Sequence, residues 1–193
     1  MMADQNQPET FFDPEYHLSN LKEGSVLIAR ESLLDPNFQA SVVLVCMLEK
    51  NKSAVGLVCN RPTHMPLSEV FNLGELSGPV SRSIYIGGPV QQDAIQILQI
   101  TRTPVKNAYR VEENVYLGGE WNSLEEVIET DERSTRLFLG YSGWGPGQLE
   151  SEVEQGAWEV YNPDLMKLFT ASEEPMIGEV QQIRKYIKSL CRE

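Results

Sequence analysis

Two runs of the chain, SVVLVC at residues 41–46 and AVGLVC at 54–59, are close to continuously apolar. A strand with one wet face alternates apolar and polar residues, whereas an unbroken apolar strand has cover on both faces. The chain must therefore build a sheet and lay other elements over both of its sides. Between the two runs lies Lys50-Asn51-Lys52-Ser53, a polar turn that makes them a hairpin. Such a turn sets Cys46 against the neighbourhood of Gly56 or Leu57, so Cys46 and Cys59 do not face each other.

Further strand-like runs occur at 25–31, 83–88, 95–101, 115–119, 135–141 and 158–162. Helical signals sit between and after them. Ser123 and Glu126 have capping-box spacing ahead of the stripe Leu124, Val127 and Ile128. Asn162-Pro163 reads as an N-cap and first helical residue before Leu165, Leu168 and Phe169. Met176, Val180, Ile183, Ile187 and Leu190 mark one long amphipathic helix, and Pro66–Asn72 a short helical turn. Strands crowd the first two thirds and helices the end, without strict strand–helix alternation. The fold class expected is α+β with a mixed sheet. Residues 1–20 read as a flexible acidic segment and 21–193 as one domain.

Composition narrows the function classes. The chain has 193 residues, three cysteines, two histidines and a formal net charge of −12. Between Glu120 and Glu159 ten acidic residues face only Arg133 and Arg136, a local balance of −8. Nucleic-acid affinity comes mainly from clustered Lys and Arg on phosphates, so direct DNA or RNA binding is disfavoured. The basic group Arg184, Lys185, Lys188 and Arg192 reads as a solvated helix face. Without a bilayer-length apolar stretch or a secretory leader, the expected location is cytoplasmic.

The chemistry-bearing motifs are incomplete. Gly140-Tyr141-Ser142-Gly143-Trp144 lacks the last glycine of a G-x-S-x-G elbow. Gly147 is followed by Gln148 and Leu149, not by the Lys and Ser or Thr of a phosphate loop, and Glu150 and Glu152 would repel an anion there. Gly87-Gly88-Pro89 is no dinucleotide fingerprint. His17 falls in the N-terminal lead-in and His64 in a proline-flanked turn, with no metal-ligand spacing. No cofactor and no metal are expected. What stands out is a polar-aromatic loop at a strand–helix corner, with Gly147 as N-cap and Gly156 as helix stop.

Several strings in order carry a resemblance: GSVLIARESLLDPNFQASVVLVC, AVGLVCNRP, YIGGPV, and GYSGWGPGQLESEV followed by Trp158. Together they resemble the YqgE/AlgH family of bacterial proteins. The resemblance implies a mixed, forked sheet curled into a partial barrel with flanking helices, and a regulatory role without a settled mechanism. The chain departs from the pattern after Cys46, where the family often has a His-Asn pair and this sequence has Met47-Leu48-Glu49-Lys50.

The expected function is a non-catalytic binding or regulatory module acting through a small molecule or a protein partner. Candidate binding residues are Asn60, Arg61, Gly87, Gly88, Tyr141, Ser142, Trp144, Gln148 and Glu150. Arg61 and Gln148 would supply polar contacts, and Tyr141 and Trp144 apolar walls. The alternative is an enzyme using Tyr141, Ser142 or Glu150 with Arg61 as a clamp, which requires those side chains to share one cleft.

Overall fold

The computed structural model describes residues 11–63, Leu67, 82–171 and 174–191. In chain order the elements are α1 (Pro14–Asn20), β1 (Val26–Ala29), β2 (Val42–Met47), β3 (Ala54–Val58), β4 (Ile84–Ile86), β5 (Val90–Ile100), β6 (Tyr109–Glu112) and β7 (Val115–Leu117). They continue with α2 (Leu124–Glu129), β8 (Thr135–Trp144), α3 (Gln148–Glu154), β9 (Trp158–Tyr161), α4 (Leu165–Thr170) and α5 (Val180–Ser189). The nine strands run in the order β6-β7-β5-β8-β3-β2-β1-β9, with β4 joined to β8 off that path.

Strand β8 is where the sheet divides. Along one side it pairs antiparallel with β5. On the other side its first half, Leu137–Leu139, pairs with β4 in parallel, and its last residues, Ser142–Trp144, pair antiparallel with β3. Gly87, at the end of β4, sits in the crotch. Its N–H donates to Leu139 O at 2.8 Å, and its carbonyl accepts from Val58 N at 2.9 Å and from Ser142 Oγ at 3.0 Å. The backbones meet so closely that a Cβ on Gly87 would lie 2.4 Å from Gly140 O, and one on Gly88 2.2 Å from Tyr141. Gly140 turns β8 at the fork with a φ of +68°. All pairs but β4–β8 are antiparallel, and the curled half-barrel plus helices is the α+β fold that the sequence predicts.

Both faces of the central strands are covered, as the two unbroken apolar runs require. One face holds Val42, Leu44, Leu57, Leu98 and Phe138, closed by Leu165, Phe169, Ile183 and Ile187 from α4 and α5. The other holds Val43, Val45, Val58, Trp144 and Trp158 under Leu149 and Val153 of α3. A third cluster packs Val127 of α2 on Ile84, Leu137 and Leu139. Arg136, 5% exposed, runs into the first core, where it donates to Phe169 O at 2.7 Å and lies over the Tyr85 and Phe169 rings. In the β2–β3 hairpin Val45 faces Gly56 and Met47 faces Val55, with Cys46 bulged between them. Cys46 and Cys59 are both free thiols, as expected from the register.

Several boundaries differ from the sequence reading. Strand β5 begins at Val90 rather than Ile95, and β8 runs on through Gly140 to Trp144. Strand β6 carries no apolar run and escapes pattern reading; Tyr109 is its anchor, with its hydroxyl 2.6 Å from Glu23 Oε1. The cap of α4 is Asp164, whose carboxylate accepts from Lys167 N, rather than Asn162, whose side chain is committed to Ser25 and Asn20. The long C-terminal helix is split: a 3₁₀ turn at Glu174–Met176 precedes α5. The turn expected at Pro66–Asn72 and His64 lie outside the described residues, apart from helical Leu67.

The N-terminal lead-in is not a flexible tail throughout. Asp13 caps α1, and His17 on that helix is 9% exposed. Its Nδ1 accepts the outward N–H of Val160 at 2.9 Å, on the outer edge of β9. Phe12 stacks on the ring at 4.6 Å. An unpaired edge invites another strand, and here one imidazole blocks it.

Two outcomes are expected. Gly87→Ala and Gly88→Ala force a methyl into backbone and should each cost about 3 kcal/mol or more in urea unfolding. Burial lowers the His17 pKa below its ordinary 6.5, against opposing pulls from the Val160 backbone and Glu159. The unfolded chain then binds a proton more readily than the folded one. Stability from this group is complete above about pH 6.5 and falls as pH drops toward the folded value. His17→Gln should flatten the acid side of the stability–pH profile measured by urea unfolding.

Candidate functional site

The loop 30–41, between β1 and β2, is fastened by two side chains that follow β3. Asn60 accepts from Val42 N at 2.9 Å and donates to Ala40 O at 3.0 Å. Arg61 donates to Gln39 O at 2.8 Å and to Asn37 O. The two residues thus fix the loop on both sides of Phe38. Phe38 itself packs against the second core, stacked on Trp144 with centroids 5.9 Å apart and edge-on to Trp158 at 5.8 Å. Two of the candidate binding residues, Asn60 and Arg61, thus latch this loop through their side chains.

One carboxylate organises the far end. Trp144 Nε1 and Trp158 Nε1 both donate to Glu152 Oε2, at 3.0 and 2.8 Å. The other oxygen, Oε1, accepts from Gln148 Nε2 at 3.0 Å, and Gln148 Oε1 accepts from Gly145 N at 2.9 Å. Trp144 is 3% exposed, so it is a core residue rather than the wall of an open pocket. In the sequence Glu152 reads only as a charge that repels anions, not as a partner of the tryptophans. The usable signal was its position four residues after Gln148 on a helix that lies between two tryptophans.

The remaining candidates divide by strand. Ser142 is fully buried, and its hydroxyl is bound to the Gly87 carbonyl. Gly87 and Gly88 are the fork. Tyr141, half-buried, packs on the first core. Arg61 follows the end of β3, whereas Ala54 at the start of β3 pairs with Trp144 just before Gln148 and Glu150. Arg61 is bonded to loop carbonyls, and among the described residues it forms no ion pair with Glu150. Burial pushes the Cys59 thiol up to about 12 and raises that of Cys46 as well, so both stay protonated. Among the described residues no cluster of three or more His, Cys, Asp or Glu could hold a metal.

The glycines of the YIGGPV and GYSGWGPG strings serve two different ends. Gly87, Gly88 and Gly140 are demanded by backbone contact. Gly143 and Gly145 are not: a Cβ on Gly143 would meet nothing nearer than 3.6 Å, and one on Gly145 nothing nearer than 3.8 Å. Neither has a positive φ. Gly143 is exposed and pairs across to Val55, which in turn pairs with Met47. Tyr141 and Val90 flank it on the same face. The result is a ledge with little side-chain cover at the end of β8, bordered by half-buried apolar side chains and held by the Glu152 network.

The class is now defined: a one-domain α+β protein on a forked half-barrel, with a side-chain-poor ledge at its rim. The chain belongs to the AlgH-like family, whose model matches residues 26–183. A UPF0301 protein of Chlorobaculum tepidum is 33% identical over 160 residues, covering 81% of this chain and 83% of that one. A UPF0301 protein of Myxococcus xanthus is 38% identical over 145 residues, with 73% and 78% covered. The solution structure of the AlgH protein from Pseudomonas aeruginosa superposes with a TM-score of 0.68 at 25% identity, over 97% of this chain and 92% of that one. A crystal structure of a Corynebacterium diphtheriae protein gives 0.62 at 27% identity, over 83% of each chain. Among the described residues no helix is long and apolar enough to cross a membrane.

Removing the shared carboxylate should strand two buried indole N–H groups, each worth about 1–3 kcal/mol when unsatisfied. Glu152→Ala is therefore expected to lose about 2–5 kcal/mol in urea unfolding and to shift tryptophan emission to the red. Arg61→Ala should loosen the 30–41 loop at a smaller cost, about 1 kcal/mol, because its bonds are partly exposed.

Proposed function

We propose that this chain is a non-catalytic binding module, acting in regulation through a ligand or protein partner that seats on the Gly143–Gly145 ledge. The observation that carries the reading is the pair of glycines that the fold does not need. A glycine whose Cβ would clash with nothing, as at Gly143 in β8 and Gly145 just after it, leaves room for another backbone or a flat ligand to come close. Tyr141, Val55 and Val90 give that visitor apolar contact, and the Glu152 network holds the ledge in shape before binding. Any control of gene expression would pass through such a partner rather than through DNA, given the balance of −8 over residues 120–159.

Gly143→Ala and Gly145→Ala separate binding from folding. Both variants should be as stable as the wild type or up to about 1 kcal/mol more so, because alanine restricts the unfolded chain. In a thermal-shift screen against metabolites, nucleotides and peptides, compounds that stabilise the wild type should lose their effect on these variants. Stabilisation that survives both substitutions and Gly143→Val would remove the ledge as the site.

A further inference from the structure

We propose that a second site, a cleft of about 280 Å³ between α1, β9 and α5, binds a small flat carboxylate. Its walls are Tyr16 of α1, Val160, Tyr161 and Asn162 of β9 and its exit, and Lys188 and Cys191 at the end of α5. In a chain of net charge −12, no described residue lining this cleft is acidic, and one is a lysine. The Lys188 ammonium lies 5.7 Å from the centroid of the Tyr161 ring, and among the described residues no carboxylate pairs with it. Glu159, on β9 beside this cleft, is paired with Arg184 at 2.6 Å. An ammonium over an aromatic face, with no anion of its own, is half of a carboxylate site; the ring supplies the surface for the ligand's flat body.

The polar floor is already ordered. Asn162 donates to Asn20 O at 3.0 Å and accepts from Ser25 Oγ at 2.7 Å, so this wall is fixed before a ligand arrives. Burial and the Glu159 carboxylate raise the Tyr161 phenol, so the ring facing the cleft stays neutral. The volume sits just below that of drug-sized pockets, roughly 300–1,000 Å³, which limits the occupant to one ring or a short chain.

Benzoate is the probe, with benzylammonium and benzyl alcohol as controls of the same shape. Titration followed by amide NMR should give saturable shifts at Tyr16, Val160–Asn162 and the end of α5 with benzoate only. Lys188→Gln, an exposed-end change that leaves the spectrum dispersed, should weaken benzoate at least about tenfold. Cys191 gives an independent readout, since Cys46 and Cys59 are fully buried. Benzoate should slow its alkylation by iodoacetamide in the wild type and not in Lys188→Gln. Gly143→Ala should leave benzoate binding intact, so this site and the ledge stand or fall separately. Equal shifts with benzylammonium, shifts that never saturate, or unchanged affinity in Lys188→Gln would each overturn the proposal.

Discussion

A single carbonyl decides the shape of this molecule. Gly87 O receives hydrogen bonds from Val58 of β3 and from the Ser142 hydroxyl, while the Gly87 N–H is given to Leu139 of β8. Three strands meet there, and they meet backbone to backbone. With any side chain at Gly87 or Gly88 the two branches of the sheet would have to part. The curl of the half-barrel, the burial of both faces of β2 and β3, and the position of the loop after β8 all follow from that junction.

From the fork the structure runs outward through a chain of committed polar groups. Gln148 ties Gly145, Glu152 ties Gln148 and both tryptophans, and Phe38 stacks on those tryptophans while Asn60 and Arg61 hold its loop. Residues that read as ligand contacts are thereby spent on internal order. The uncrowded space beside Gly143 and Gly145 is what such order leaves available. Rigid support beneath a bare surface suits recognition, because little conformational freedom is lost when a partner arrives.

The sheet was legible because unbroken apolar runs have few other solutions, and the fork because the YIGGPV and GYSGWGPG strings travel together in the resembled family. Helix α2 was legible through its cap: Ser123 Oγ accepts from Glu126 N, and Glu126 returns a bond to Asn122 N. Other features were hidden for physical reasons. Helix α1 lies in an acidic stretch whose anchoring partner, Val160, is 143 residues away from His17. Strand β6 has only four residues, and pairing with β7, burial of Val111 and the Tyr109–Glu23 bond hold it without an apolar run. The roles of Asn60 and Arg61 were invisible because their partners are carbonyls and amides, which every sequence has. Residue type alone also cannot separate Gly87, crowded by Gly140 O at 2.4 Å, from Gly145, which nothing crowds.

Native-state hydrogen exchange tests the central role of the fork most directly. If the junction holds the two branches together, the amides of Gly87 and Val58 should exchange only through global unfolding, with the denaturant dependence of the whole domain. The same behaviour is expected of Leu139 and Ser142 in β8. Exchange of Gly87 and Val58 by a local opening, markedly faster than the β1–β2 core, would contradict it and show that the branches part without the rest of the fold.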